Sequence, residues 1–420
     1  MNSPSSKKDR HTKKIWYAPN KFESYGDEEI KAVEGCLRKG WLAPGPITEE
    51  FERKIASIFG KKFAVMVNSG SSGNTLALLI AGLKAGDEII VPACTFATNV
   101  APIIQLNLVP VFCDVEHGSY VPSVAQIIDK VSSRTRALFL PNLIGSKPDW
   151  QVLKDELFML GRRDIILIED SCDTITNTAV TDIAVTSFYS SHIITAGGGG
   201  GMVMCNEKSQ RDLALQYRDW GRMGTNTESF SERFGHCIDG IEYDFKFLYP
   251  ILGYNFKSTE MNAAFGLEQL KKLPLFLEIR RQNIDRFVQQ LKELEPYGLV
   301  LPKNHEKLDW LALPLMLPNR KALLQKLEDS DIQTRVCFAG NITRHPAYRQ
   351  YYEEFSSADE IMRNGFLIGA HHGMNQQDVD YVDQDRFIKL EQSSYSPMSN
   401  IPEAVPPSES VPPIPELSQA

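Results

Sequence analysis

Ala64-Val65-Met66-Val67-Asn68-Ser69-Gly70-Ser71-Ser72-Gly73-Asn74 passes from an apolar β-branched run, through a Gly/Ser turn, into a helical-period stretch that continues from Thr75 to Leu83. A strand, a tight turn and a helix start in this order form half of a β-α-β unit. The free N–H groups and the positive end of the helix dipole gather at the turn, which suits an anion. The plainer reading of the same residues is a Gly/Ser helix cap, and the turn alone does not choose between the two.

Working outward, short apolar runs recur at Glu88-Ile89-Ile90-Val91, Val109-Pro110-Val111-Phe112, Arg136-Ala137-Leu138-Phe139-Leu140 and Asp164-Ile165-Ile166-Leu167-Ile168, separated by helical-period stretches. This alternation predicts an α/β fold, a mainly parallel sheet sandwiched by helices. Ligands of such sheets sit beyond the carboxyl ends of the strands, so the residues there carry most weight. A long helical stretch over 275–294 leads to a smaller C-terminal α+β domain. The expected divisions are a flexible N-terminal arm at 1–20, a large domain at 21–270, a small domain at 271–392 and a disordered Pro/Ser-rich tail at 393–420.

Composition narrows the function classes. With a net charge of −8 and a pI near 5.6, the chain lacks the clustered cations that nucleic acid requires; Lys7-Lys8-Asp9-Arg10-His11-Thr12-Lys13-Lys14 is a local exception read as a solvated arm. No apolar run is long enough for membrane insertion, and no signal-like segment follows the N-terminal charges. The seven cysteines are scattered without a CxxC pair, which fits reduced thiols in a cytoplasm rather than a zinc site.

Two further stretches carry chemistry. Glu169-Asp170-Ser171-Cys172-Asp173 follows a buried run, where a carboxylate needs a partner; Asp170 either caps a helix or faces a protonated ring nitrogen. Ser187-Phe188-Tyr189-Ser190-Ser191-His192 then precedes five glycines, Gly197 to Gly201.

The Gly/Ser turn, Thr95-Phe96, Glu169-Asp170, Ser187-Phe188 with His192, and Gly253-Tyr254-Asn255 occur in the order of one family. The chain resembles the DegT/DnrJ/EryC1/StrS sugar aminotransferases from about Trp41 to Val382. The resemblance implies a fold-type I pyridoxal-phosphate transferase. It makes Ser71, Ser72 and Ser187 phosphate ligands, Phe96 the ring stacked on the pyridine, and Asp170 the partner of the pyridine nitrogen. Asn255 would reach the phosphate site of the neighbouring subunit, which implies a homodimer.

The family's cofactor-binding lysine is replaced here by His192, which cannot bond the cofactor covalently but can move protons. A small branch shares that replacement: pyridoxamine-phosphate-dependent 3-dehydratases of CDP- or GDP-linked 4-keto-6-deoxyhexoses. Arg218-Asp219-Trp220-Gly221-Arg222 and Thr334-Arg335-Val336-Cys337-Phe338-Ala339-Gly340-Asn341 are similar to that branch as well. The branch implies His192 as acid and base, a nucleotide-sugar substrate, an amino donor such as glutamate, and deoxysugar biosynthesis. Arg335 and Arg344 are candidate substrate ligands, with a surface ion-pair role open for each. Some of these enzymes hold an iron–sulfur cluster; 223–236 contains no cysteine, so none is expected here. The family's Glu in the Gly-rich turn is Gly198. Two other readings remain: an aminotransferase that uses Lys246 or Lys257, and a degenerate protein that only binds cofactor or sugar nucleotide.

Overall fold

A computed structural model describes residues 14–19, 24–224 and 229–383. The C-terminal tail expected at 393–420 and most of the N-terminal arm lie outside the described residues. Residues 14–19 of that arm are packed: Ile15 is buried and bridges Ile332.

Seven strands make the main sheet: β1 (Phe63–Val67), β2 (Glu88–Pro92), β3 (Val109–Cys113), β4 (Thr135–Pro141), β5 (Ile166–Asp170), β6 (Ile183–Ser187) and β7 (Gly201–Cys205), in the order β1-β7-β6-β5-β4-β2-β3. The neighbours from β6 through β5, β4 and β2 to β3 pair in parallel. β7 runs antiparallel between β1 and β6. The five anticipated strands are present. β6 and β7 were not anticipated, because Ile183-Ala-Val-Thr-Ser is half polar and β7 emerges directly from the glycine run. Helices cover both faces, and the strands inside the sheet are almost wholly buried.

A hairpin follows, β8 (His236–Ile238) with β9 (Ile241–Tyr243). The smaller α+β part contains an antiparallel sheet in the order β10 (Leu313–Met316), β12 (Gly365–Ile368), β11 (Thr334–Val336). Between hairpin and small sheet runs one helix, Glu260–Leu291, which begins well before the predicted start and passes straight through the expected boundary at 270. Gly266 and Pro274 look like breaks in the sequence. Gly266 instead admits the Phe51 ring, since a Cβ there would lie 2.6 Å from its Cζ.

That helix is tied to an earlier helix, Pro46–Ile58, at its first residue. Buried Glu260 accepts hydrogen bonds from the backbone of Gly45 (2.7 Å), Ile47 (2.7 Å) and Thr48 (3.1 Å) and from Thr48 Oγ1 (2.6 Å). These are N–H groups at the start of the helix Pro46–Ile58, where a negative charge is favoured.

Candidate active site

The carboxyl ends of β1, β4, β5 and β6 surround a cavity of about 340 Å³ lined by Ser71, Phe96, Asp170, Asp173, Ser187 and His192, among others. Sequence reading anticipated five of these six.

The Gly/Ser turn opens the helix Gly70–Ile80, with Ser69 as its N-cap; Ser69 Oγ accepts from Ser72 N at 3.1 Å. Gly70 and Ser71, at its first two positions, line the cavity, where helix N–H groups have no intrahelical acceptor. Gly70 also permits close packing: a Cβ there would come within 2.7 Å of both Cys172 Sγ and Ser187 Cβ. This brings the hydroxyls of Ser71 and Ser187 to one wall. Ser72 is not brought there. Its hydroxyl donates to Asn68 Oδ1 at 2.7 Å and holds the turn from behind.

Glu169 and Asp170 are the last two residues of β5 rather than residues beyond it, so they point to opposite faces. Glu169 is enclosed by Asn142, Ser171 and Thr181, and burial raises its pKa. Asp170 faces the cavity. Its oxygens accept from Cys172 N (2.9 Å) and Asn74 Nδ2 (2.8 Å), and no cation pairs with it among the described residues. No helix starts here, so the capping role does not apply. Half-exposed Phe96 presents its ring to the cavity, edge-on to Phe338 at 6.0 Å between centroids.

His192 sits in a turn after β6, its N–H donating to Tyr189 O at 3.0 Å. The turn is braced by Thr195 Oγ1 donating to Phe188 O (2.9 Å) and Asn262 Nδ2 donating to Ala196 O (2.7 Å). Gly197, Gly198 and Gly200 have φ of +73°, +98° and +117°, so the glycine run takes a path closed to most side chains. Burial, with a smaller effect from the Arg280 charge, holds the imidazole down to about 4, so it stays neutral.

Asp173 carries no role in the expectations from the sequence, yet it lines the cavity. Its Oδ1 lies 3.9 Å from His192 Nε2, and its Oδ2 accepts from Ile144 N at 2.7 Å. Burial and the nearby Asp170 push its carboxyl up to about 7. The signal was three acidic residues within five at one strand end. Tyr17 also lines the cavity, and no local sequence signal marked it.

Three anticipated residues lie elsewhere. Asn255, expected at the neighbouring subunit's phosphate site, is exposed, bridges Asp219 and does not line this chain's cavity. Arg335 lies beside it, its guanidinium over the Tyr17 ring at 5.6 Å. Arg344 is bound by Asp359 and stacks on Tyr352, which is the ion-pair role left open for it. Lys257 is 3.5 Å from Asp219 and lies over Trp220; neither it nor Lys246, nor any other lysine among the described residues, lines the cavity.

The residues fit a phosphorylated pyridine. A helix start and two hydroxyls suit the phosphate, Phe96 offers a face for the ring, and the carboxylate of Asp170 lacks a cation.

A sequence model of the DegT/DnrJ/EryC1/StrS aminotransferase family matches residues 23–385. A dTDP-4-dehydro-2,6-dideoxy-D-glucose 3-dehydratase of Saccharopolyspora spinosa is 34% identical over 391 residues, covering 85% of this chain and 82% of its own. A GDP-4-keto-6-deoxy-D-mannose 3-dehydratase of Escherichia coli O55:H7 is 30% identical over 389 residues, covering 87% and 98%. Among solved structures, GDP-4-keto-6-deoxymannose-3-dehydratase with a trapped PLP-glutamate geminal diamine superposes with a TM-score of 0.76 at 27% identity, covering 88% of this chain and 99% of that one.

Proposed function

As the chain belongs to the DegT/DnrJ/EryC1/StrS aminotransferase family, we propose that it is a pyridoxal/pyridoxamine-phosphate-dependent 3-dehydratase of a nucleotide-linked 4-keto-6-deoxyhexose. The observation that carries this reading is His192 in a cavity that no lysine among the described residues lines. The similarity to named sugar-nucleotide 3-dehydratases supports it.

Bound there, the cofactor supplies an amino group for the C4 ketone and a ring that accepts negative charge. Ser71, Ser187 and the first-turn N–H groups hold its phosphate, and Phe96 covers the ring. Asp170 keeps a proton on the ring nitrogen. Neutral His192 takes a proton from carbon, and the C3 hydroxyl departs with a proton returned to it. The products would be ammonia and a 3,6-dideoxy-4-ketose, with glutamate as the amino donor that would return the cofactor to its amine form. Arg335, beside Tyr17 at the cavity, is the better placed substrate ligand for a diphosphate.

We assign the protein to the cytoplasm from its seven cysteines, which are scattered in the sequence and all free in the structure. A homodimer is proposed from Asn255, exposed and outside its own cavity, and from the exposed Leu252, Phe230 and Ile241 nearby in sequence. Light scattering at micromolar concentration should give twice the chain mass, and a monomer that turns over substrate would remove this assignment.

The deciding experiment is incubation with pyridoxamine phosphate, glutamate and GDP- or CDP-linked 4-keto-6-deoxyhexoses, with product mass as readout. Loss of the C3 oxygen is expected. An amino sugar as product would instead favour an aminotransferase working through Lys246 or Lys257, and borohydride would then fix the cofactor to a lysine. No turnover would favour a binding protein.

A further inference from the structure

His192 and Asp173 face one another on one wall, and apart from each other and the Ser187 backbone, which favours the imidazolium, neither has an oppositely charged partner among the described residues. Asp173 has one neutral donor, Ile144 N, and no cation within hydrogen-bond reach among the described residues; His192 Nδ1 is buried with no partner. The donor to Asp173 is held at some cost. Ile144 has φ +61°, a left-handed conformation that β-branched residues avoid, and its own carbonyl is fixed by Leu311 N at 2.7 Å. Because Ile144 occupies Oδ2, the free oxygen of Asp173 is Oδ1, the one 3.9 Å from His192 Nε2. That gap is too long for a direct hydrogen bond. A hydroxyl oxygen about 2.8 Å from each atom would satisfy both.

We infer that Asp173 is the catalytic acid of this site and His192 its base, so the two proton transfers fall to two residues rather than to one. This rests on the dehydratase reading above and divides its acid–base work. Environments that push two groups in opposite directions are how such assignments are made: here the imidazole is held neutral while the carboxyl keeps its proton near neutral pH. The groups facing the pair are Asp170 on β5, Cys172 beside it, Tyr17 from the N-terminal segment, Tyr189 on the same turn and Arg280 of the long helix. Asp170 disfavours a second negative charge at Asp173, and Arg280 disfavours a positive charge at His192.

The proton balance closes without an oxidant. His192 Nε2 takes a proton from carbon, and the electron pair of that C–H bond is relayed to the carbon–oxygen bond that breaks. The departing oxygen keeps that bond's electron pair and takes the Asp173 proton, leaving as water. The imidazolium then returns its proton to the Asp173 carboxylate through a water in the gap, and both residues are restored.

The test combines a titration with a rate profile on the full chain. Infrared or carbon NMR of the protein without added cofactor should reveal a carboxyl titrating near pH 7; it should vanish in Asp173→Asn and persist in His192→Asn. Turnover by the wild type, loaded with pyridoxamine phosphate and glutamate, should fall on the alkaline side. Asp173→Asn should turn over at least a hundredfold more slowly and lose that alkaline fall, and Asp173→Glu should recover it. Absence of the titrating carboxyl in the wild type, or an Asn variant with the native rate and profile, would overturn the assignment. If the Asn variant does not fold, the wild-type titration and the Glu variant decide. A wild type that transaminates instead of dehydrating defeats the functional reading, whereas an unchanged Asn variant of a working dehydratase defeats only the role of Asp173.

Discussion

His192 occupies a turn rather than a strand or helix, so its direction depends on the bonds around it: its own N–H to Tyr189 O, and the Thr195 and Asn262 braces behind. Replacing it with Asn should leave that frame intact. Cofactor affinity should then stay near normal, while dehydration falls by roughly a hundredfold or more, the usual range for losing a positioned acid–base group. Absorbance titration and product mass check the two halves separately. His192→Lys should divert the reaction toward transamination, and a Lys variant that dehydrated at the native rate would show that the histidine does not decide the outcome. At this scale the sequence was informative where a motif fixes a residue beside a strand end, as at Asp170 and Ser187. It was silent at Tyr17, whose place depends on pairing with a segment over three hundred positions away. At Arg344 it left two roles open, and the ion pair with Asp359 is visible only in the fold.

Elements in this chain are joined by buried polar contacts as well as by apolar packing. Glu260 starts the long helix and ends up as the anion at the start of another, with four donors around one carboxylate. Glu260→Gln would leave at least one of those N–H groups facing an amide NH2. A loss of about 2–3 kcal/mol in stability is expected, and the urea midpoint measures it. The strands that were legible, β1 to β5, are apolar runs bounded by turns. β7 was not, since it is entered directly from glycines whose left-handed φ values no periodicity announces. The long helix was read short for a related reason. Gly266 and Pro274 count as breakers in isolation, and only packing against Phe51 explains the glycine.

For the molecule as a whole, the two buried groups at the cavity make opposing contributions to stability. Asp173 is raised from 3.8 to about 7, so its contribution is full below the lower value and is lost as pH rises through the upper one. His192 is lowered from 6.5 to about 4, so its contribution is full above the upper value and is lost as pH falls through the lower one. Between about pH 4 and 6.5 the folded pair and the unfolded pair each bind about one proton, and the two slopes cancel. Single substitutions should unmask them. Relative to wild type, the cofactor-free Asp173→Asn protein should gain stability with rising pH over this window, and His192→Asn should lose it, each by roughly 1.4 kcal/mol per pH unit. Urea unfolding at several pH values measures both, and parallel curves for all three proteins would contradict the linkage.

The start of the chain bears on the same cavity. Ile15 lies against Ile332, Trp16 O accepts from His371 Nε2 at 3.1 Å, and Tyr17 completes the wall. Deleting residues 1–18 rather than 1–13 should therefore cost about 2–5 kcal/mol more, from the loss of buried Ile15 alone, and should weaken cofactor binding. Thermal melting and cofactor titration of the two shortened proteins compare them. On the ribosome this pairing sets an order of events. A nascent chain can build most of its main sheet early, yet Trp16 must wait for His371, so the reaction chamber stays open on one side until synthesis has passed that residue.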